Sequence, residues 1–290
     1  MKSPYLELNA SRAIPPHAYF LVSAVFHYLG PAFAVLLFQS IDALGVAWLR
    51  IVTAAVAFAL WRKPWRVFAT ATRPQLYLLL AMGGILAFMN SVFYLAIARL
   101  PLATVGAIEF LAPIALAFAG LRDRRNIVAL GVAVAGVSLL TRMRFDGDAL
   151  AYLLAFANCA LFAAYIVAGH ALARDGGAQG IDRLGAAMLI AAIAAAPIGF
   201  HDAIPAFHEI KLLLAAIGVG ICSSVIPYVC DQLAMARLPR STFALMLALL
   251  PAAATLIGAL VLGQIPAHIE IVGIALVIAG VSLHRTSTAA

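Results

Sequence analysis

Apolar side chains run along this chain in long stretches separated by short polar breaks. A stretch of about 17–25 such residues is what an α-helix needs to cross the hydrocarbon core of a bilayer. Ten are predicted, near 17–39, 43–61, 75–97, 101–121, 126–142, 149–173, 183–200, 211–236, 240–262 and 267–284. The start of the chain, residues 1–16, is polar and carries Glu7. No small-residue cleavage site follows a short apolar core there, so the first stretch reads as a retained helix and not as a signal peptide.

The pattern repeats. Ala-Arg-Leu-Pro occurs at 98–101 and again at 236–239, and each copy precedes an apolar helix with an internal proline, Pro113 and Pro251. Both pairs share one offset, 239 − 101 = 251 − 113 = 138. Ala-Gly-Val-Ser-Leu recurs at 135–139 and 279–283, offset by 144. The expected architecture is therefore all-α and polytopic: ten transmembrane helices in two five-helix repeats, residues 17–142 and 149–284, behind a cytoplasmic segment of residues 1–16. Five is odd, so the second repeat enters the membrane from the opposite side, the inverted arrangement of many secondary transporters.

Composition supports a membrane chain. Of 290 residues, 65% are hydrophobic and 11% charged, with a mean hydropathy of +1.04. Soluble domains are about 45–50% apolar and about 25% charged. The net charge of +7 would raise nucleic acid as a partner in a soluble protein, but here it follows topology. With the N-terminus inside, Arg99, Arg142, Arg144 and Lys211 fall in outer loops and Arg50 falls within a span. The remaining 14 of the 19 Lys and Arg residues face the cytoplasm, which places both termini there by the positive-inside rule. Cys159, Cys222 and Cys230 lie in apolar segments with no metal or disulfide spacing. Trp48, Trp61 and Trp65 sit near span ends, as interfacial anchors do.

Ionisable groups inside spans are costly and face a cavity or a partner. Four stand out: His27, Arg50, Glu109 and Asp231. Arg50 is seven residues into span 2 and Glu109 eight residues into span 4, counted from the same side. At 1.5 Å per residue both lie about 10–12 Å deep, so an ion pair between these spans is expected. His27 precedes a Gly30-Pro31 break. Tyr228, Asp231 and Gln232 form a polar patch at helical spacing, and Pro227 at its start frees a backbone carbonyl. Asn90 and Tyr94 share one face of span 3; Asn158, Phe162 and Tyr165 share one face of span 6. These seven polar and aromatic residues, Asn90, Tyr94, Asn158, Phe162, Tyr165, Tyr228 and Gln232, are the candidate substrate contacts. Gly83-Gly84 and Gly218 with Gly220 favour close helix contact. No phosphate-binding glycine-lysine loop, HExxH or paired-Asp motif is present, which argues against an ATPase in this chain, a metal site or an intramembrane protease. No cofactor is implied. The partners expected are the lipid bilayer and a small-molecule substrate, with no nucleic acid and no ATPase subunit.

Several stretches carry a resemblance. Met89-Asn-Ser-Val-Phe-Tyr-Leu-Ala-Ile97, Ile108-Glu-Phe-Leu-Ala-Pro113, Val225-Ile-Pro-Tyr228, Ala236-Arg-Leu-Pro-Arg-Ser-Thr-Phe243 and Leu49-Arg50 resemble the EamA-type carriers of the drug/metabolite transporter superfamily, in its amino acid exporter branch. The resemblance implies ten helices around a central cavity and a place in the bacterial inner membrane. It implies export of amino acids of threonine/homoserine, methionine or aromatic type by alternating access, with no enzymatic activity. It supports Asn90, Tyr94, Glu109, Tyr165 and Tyr228 as functional positions. The alternative within the same fold is a drug or nucleoside-type exporter. Span 9 departs from the family pattern. Leu250 precedes Pro251 and Gln264 follows Leu262-Gly263, where relatives often carry acids; proton coupling through span 9 would lack both. Phe162 stands where many relatives have Trp, which points to a different substrate size. Glu109→Gln is expected to reduce folded yield or transport; membrane expression level and a transport assay check it.

Overall fold

The computed structural model describes residues 15–113, 116, 124–142, 149–238, 243, 247 and 250–283. Among these, all regular structure is helical. Helices α1 (Pro16–Leu37), α2 (Ala43–Arg62), α3 (Trp65–Thr70), α4 (Arg73–Ile97), α5 (Leu102–Glu109) and α6 (Arg124–Arg142) come first. Helices α7 (Ala149–Ala173), α8 (Gly177–His208), α9 (Ile210–Gly220), α10 (Ile226–Met235), α11 (Leu250–Leu262) and α12 (His268–Leu283) follow, with a π-helical turn at Ile221–Val225 joining α9 to α10. Among the described residues six helical stretches are long and apolar enough to cross a membrane: Pro16–Leu37, Ala43–Arg62, Arg73–Ile97, Ala149–Ala173, Gly177–His208 and Ile210–Met235. They match predicted spans 1, 2, 3, 6, 7 and 8. Shorter apolar helices at Leu102–Pro113, Ile127–Gly136, Ala253–Leu262 and His268–Gly280 fall in spans 4, 5, 9 and 10. The N-terminal segment up to residue 14, the far end of span 4, the start of span 9 and Arg122, Arg144, Arg240 and Arg285 lie outside the described residues. The chain is a multi-pass membrane protein by these helices, and Leu60, Ile193 and Leu260, at least 75% exposed, belong to the apolar outer surface that a bilayer covers.

Local chemistry sets the helix ends. The Thr72 side chain caps the start of α4, and Gln75 Oε1 accepts the Thr72 amide at 2.9 Å, a capping box. Helix α2 stops at Lys63, whose φ of 51° is left-handed, and Pro64 follows. The two Ala-Arg-Leu turns have one geometry. Ala98 N–H donates to Tyr94 O (3.1 Å) and Leu100 N–H to Ala96 O (2.8 Å); Ala236 N–H donates to Gln232 O (3.1 Å) and Leu238 N–H to Ala234 O (2.8 Å). Pro239, which completes the second copy, is outside the described residues.

Three expectations change. Span 7 is longer than predicted, a 32-residue helix of about 48 Å at 1.5 Å per residue. The polar residues His201 and Asp202 do not end it, because one helical face still packs inward through Ala203 and Ala206. The Gly30-Pro31 break does not form; α1 continues through Pro31 to Leu37. Trp48 is not an interfacial anchor. It is half-buried and donates from Nε1 to Ala192 O at 3.1 Å, tying α2 to α8, whereas Trp61 at the other end of α2 and Trp65 at the start of α3 are exposed.

Helix α8 lies along α2 and α4, α4 along α7, and α6 along α12; α1 packs on α10, the π turn and α11, and α5 packs on α11. The crossings are close because small residues sit at them. A Cβ on Gly83 would lie 2.6 Å from Ile190 Cβ and 2.9 Å from Ala187 O, while one on neighbouring Gly84 meets nothing within 4 Å. Gly83→Ala is therefore expected to lower the melting temperature in detergent by roughly 3–10 °C, the effect of overpacking a well-filled contact. Gly84→Ala is expected to leave it unchanged or slightly raised.

Candidate functional site

Helices α1, α2, α4, α5, α7 and α10 bring polar groups to the middle of the bundle. Arg50 from α2 is 3% exposed. Its Nε donates to Ser224 Oγ (2.7 Å), and its Nη2 donates to Ser223 O (2.7 Å) and Tyr228 OH (3.4 Å). The Ser223 carbonyl is available for a sequence reason. Pro227, four residues on, has no N–H to return to it, and the helix loosens into its π turn there. The guanidinium also lies against the rings of Tyr94 and Tyr228, at 5.3 and 5.9 Å from their centroids.

Two carboxylates are buried in the bundle as well. Glu109 Oε1 accepts Asn158 Nδ2 at 2.9 Å, and Glu109 Oε2 accepts Tyr28 OH at 3.0 Å with His27 Nε2 at 3.6 Å. Asp231 accepts Ser23 Oγ at 2.5 Å and Tyr165 OH at 3.0 Å. Helices α1 and α7 thus each hold both acids: α1 through Ser23 and Tyr28, α7 through Tyr165 and Asn158. Such multiple donors are what a carboxylate needs away from water. Pro31, Pro113 and Pro227 stand four residues after His27, Glu109 and Ser223 respectively, so each proline leaves a backbone carbonyl of the cluster without its helical donor.

The expected direct ion pair between Arg50 and Glu109 is absent. The depths agree, but α2 presents Arg50 to the π turn and α5 presents Glu109 to α1 and α7. The two side chains instead line one void with His27, Asn90, Asn158 and Tyr228. That void is about 10 Å³, space for roughly one water. The Asn90 amide is 3.5 Å from the Tyr228 hydroxyl. Phe162 stacks on Tyr165 (centroids 5.9 Å, 14°) and Tyr165 adjoins Tyr228 (5.5 Å). Tyr94 reaches the cluster through Arg50. Of the seven candidate contacts Asn90, Asn158 and Tyr228 line the void, while Tyr94, Phe162 and Tyr165 stand behind it and Gln232 turns away; the buried Gln232 amide packs between Gly169 and Gly180, and neither amide atom has a partner. Residues the sequence reading did not single out also contribute: Ser23, Tyr28, Ser223 and Ser224 by hydrogen bonds, and Met89 and Phe93 by lining the void. Counting four residues back from Pro227 would have found Ser223; nothing in the sequence marks Ser23.

At the end of the bundle carrying the 63–72 turn, a cavity of about 370 Å³ is lined by Gln75, Leu79, Arg174, Asp175, Gln179 and Asp182 among others. Beside it Arg62 Nε donates to Asp182 at 2.6 Å, and Arg183 pairs with Asp175. A second cavity of about 370 Å³ lies between Arg99–Pro101 and Gln264–Pro266, with Glu270. There Gln264 Oε1 accepts the Leu102 amide at 3.1 Å, closing the first turn of α5 from the distal half of the chain.

This arrangement, an apolar helical shell around a sealed polar centre with a cavity at two loop regions, is that of a membrane carrier. The profile of the EamA-like transporter family matches residues 149–286. The chain is 32% identical over 255 residues to the threonine/homoserine exporter RhtA of Salmonella typhimurium and to that of Escherichia coli K12, covering 86% of this chain and 84% of each relative. A solved crystal structure superimposes with a TM-score of 0.61 at 19% identity, covering 93% of this chain and 98% of that one, a likeness of fold. The chain belongs to the EamA-like transporter family and is a transporter, not an enzyme.

The Asp231 clamp makes a stability prediction. Ser23→Ala and Tyr165→Phe are each expected to cost about 1–3 kcal/mol, the range for a hydrogen bond to a charged group. The double variant is expected to cost more than their sum, because it strips the carboxylate of both donors. Unfolding of the purified variants in detergent measures both.

Proposed function

We propose that this transporter exports amino acids of the threonine/homoserine, methionine or aromatic type across the bacterial inner membrane, by alternating access of two inverted five-helix halves with both termini cytoplasmic. The observation that carries this reading is the sealed polar centre, where a guanidinium and two carboxylates, with aromatic rings, are enclosed by helices from both halves. The relatives named above export threonine and homoserine, which fits a site of that polarity.

Several features support two exchanged halves. The pairings α2 on α8, α5 on α11 and α6 on α12 each join a helix to its counterpart in the other half. Packing of α4 on α7 corresponds to packing of α9–α10 on α1. Asn90 and Tyr228, 3.5 Å apart, are separated by 138 residues, the offset of the repeat. The contact map is thus largely unchanged when the halves are exchanged, as a pseudo-two-fold requires.

The central void of about 10 Å³ is far below the roughly 300–1,000 Å³ of a ligand pocket, so the form described is closed at its centre. Access opens when one set of contacts between the halves releases: Arg62–Asp182 at one end, or the Gln264 cap on α5 at the other. Asn90, Tyr94, Asn158, Phe162, Tyr165 and Tyr228 form the substrate shell, and Gln232 serves packing.

Purified protein in liposomes loaded with unlabelled amino acid tests this reading. Labelled threonine, methionine or phenylalanine is expected to exchange with no ion gradient imposed, and the matching unlabelled compound is expected to block it. No exchange for any amino acid, together with a resistance profile on expression, would replace this reading with drug export.

A further inference from the structure

Arg50 is a buried cation whose hydrogen bonds all go to neutral groups: a serine hydroxyl, a backbone carbonyl and a phenol. No carboxylate among the described residues is within ion-pair distance of it, although Glu109 lines the same void. Guanidinium stays protonated at any working pH, and an ion so far from water calls for an opposite charge. The Tyr94 hydroxyl beside it is buried with no hydrogen-bond partner. The other side of the void has the opposite character. Glu109 presents a carboxylate with His27 3.6 Å away. Asn158, fully buried, uses its Nδ2 on Glu109 and leaves Oδ1 without a partner. The gap of about 10 Å³ is thus lined by a cation, Arg50, and by acceptors, Glu109 and Asn158, with His27, Asn90 and Tyr228 beside them.

We infer that this gap receives the backbone end of a free α-amino acid, with its carboxylate on Arg50 and Tyr94 and its ammonium on Glu109 and Asn158 Oδ1. The inference rests on the amino acid reading above and assigns the polar ends of that site. The substrate carboxylate supplies the opposite charge that Arg50 lacks, and the ammonium supplies a donor to Asn158 Oδ1 and adds to those already on Glu109, so the zwitterion stands in for the ion pair that Arg50 and Glu109 do not make. The guanidinium fork suits a carboxylate, which accepts two parallel N–H bonds. The ammonium needs acceptors only, and Glu109 and Asn158 Oδ1 are acceptors. Masking either charge leaves a buried group unpaired, which is how a polar site rejects a close analogue. Recognition then depends on the amino acid backbone, while the ring wall of Phe162, Tyr165 and Tyr228 meets the side chain.

The test is competition in the liposome exchange assay, with threonine, threoninamide (carboxylate masked) and N-acetylthreonine (ammonium masked) as inhibitors of labelled threonine uptake. Wild-type protein is expected to bind each masked compound at least about tenfold more weakly than threonine. Arg50→Gln is expected to weaken threonine and leave threonine and threoninamide within about twofold of each other. Tyr94→Phe keeps the ring against Arg50 and removes only the hydroxyl. It is expected to weaken threonine about tenfold and threoninamide hardly at all, which keeps the test intact if Arg50→Gln does not fold. Equal inhibition of wild-type exchange by all three compounds, or unchanged selectivity in a folded Arg50→Gln or Tyr94→Phe variant, overturns the inference while leaving amino acid export standing. Wild-type protein that exchanges no free amino acid overturns both.

Discussion

A carboxylate or guanidinium inside hydrocarbon must find its partners within the protein, and in this chain that requirement organises the middle of the bundle. Glu109 and Asp231 sit on helices from different halves, yet α1 and α7 each reach both of them. Any sliding of α1 against α7 would strip donors from both acids together. Arg50 is bound in the same way to the π turn between α9 and α10. The polar centre is thus a set of clamps between elements that are distant in sequence, the contacts running over 49 to 208 residues. Apolar packing surrounds it but has little directional preference; these hydrogen bonds set which faces meet.

Proline and glycine make the clamps compatible with close-packed helices. Proline removes a backbone donor and so leaves a carbonyl able to accept from a side chain, as Ser223 O accepts from Arg50. Glycine lets two backbones approach without a Cβ between them, as at Gly83 against α8. A helix bundle in lipid gains little from burying apolar surface, since lipid is equally apolar. Shape fit and internal hydrogen bonds hold it instead. Both are local, and both can be made differently at the two ends of one molecule, which suits a carrier whose closed centre lies between two cavities.

Much of the fold was legible because bilayer thickness and helix rise together convert composition into span positions. The six long helices, the repeated Ala-Arg-Leu turn and the burial of His27, Arg50, Glu109 and Asp231 away from lipid follow from that conversion and from residue spacing. The length of α8 was not legible, because hydropathy alone cannot distinguish a polar loop from a helix whose inner face remains apolar past the membrane. Trp48 was misread for a related reason. Its position near a span end is a one-dimensional fact, while its bond to Ala192 depends on which way α2 is turned.

The sequence by itself determined that this is a polytopic helical membrane protein with a duplicated pattern, and which few polar residues lipid could not tolerate. Period, length and hydropathy are local quantities, and they suffice for that. Only the tertiary structure decided the partners: that Arg50 faces Ser223, Ser224 and Tyr228 and not Glu109, that Ser23 and Tyr28 matter, and that Gln232 turns toward Gly169 and Gly180. Depth in the membrane is set by counting along one helix. Rotation about the helix axis is set by the neighbours, and a hydrogen bond needs both.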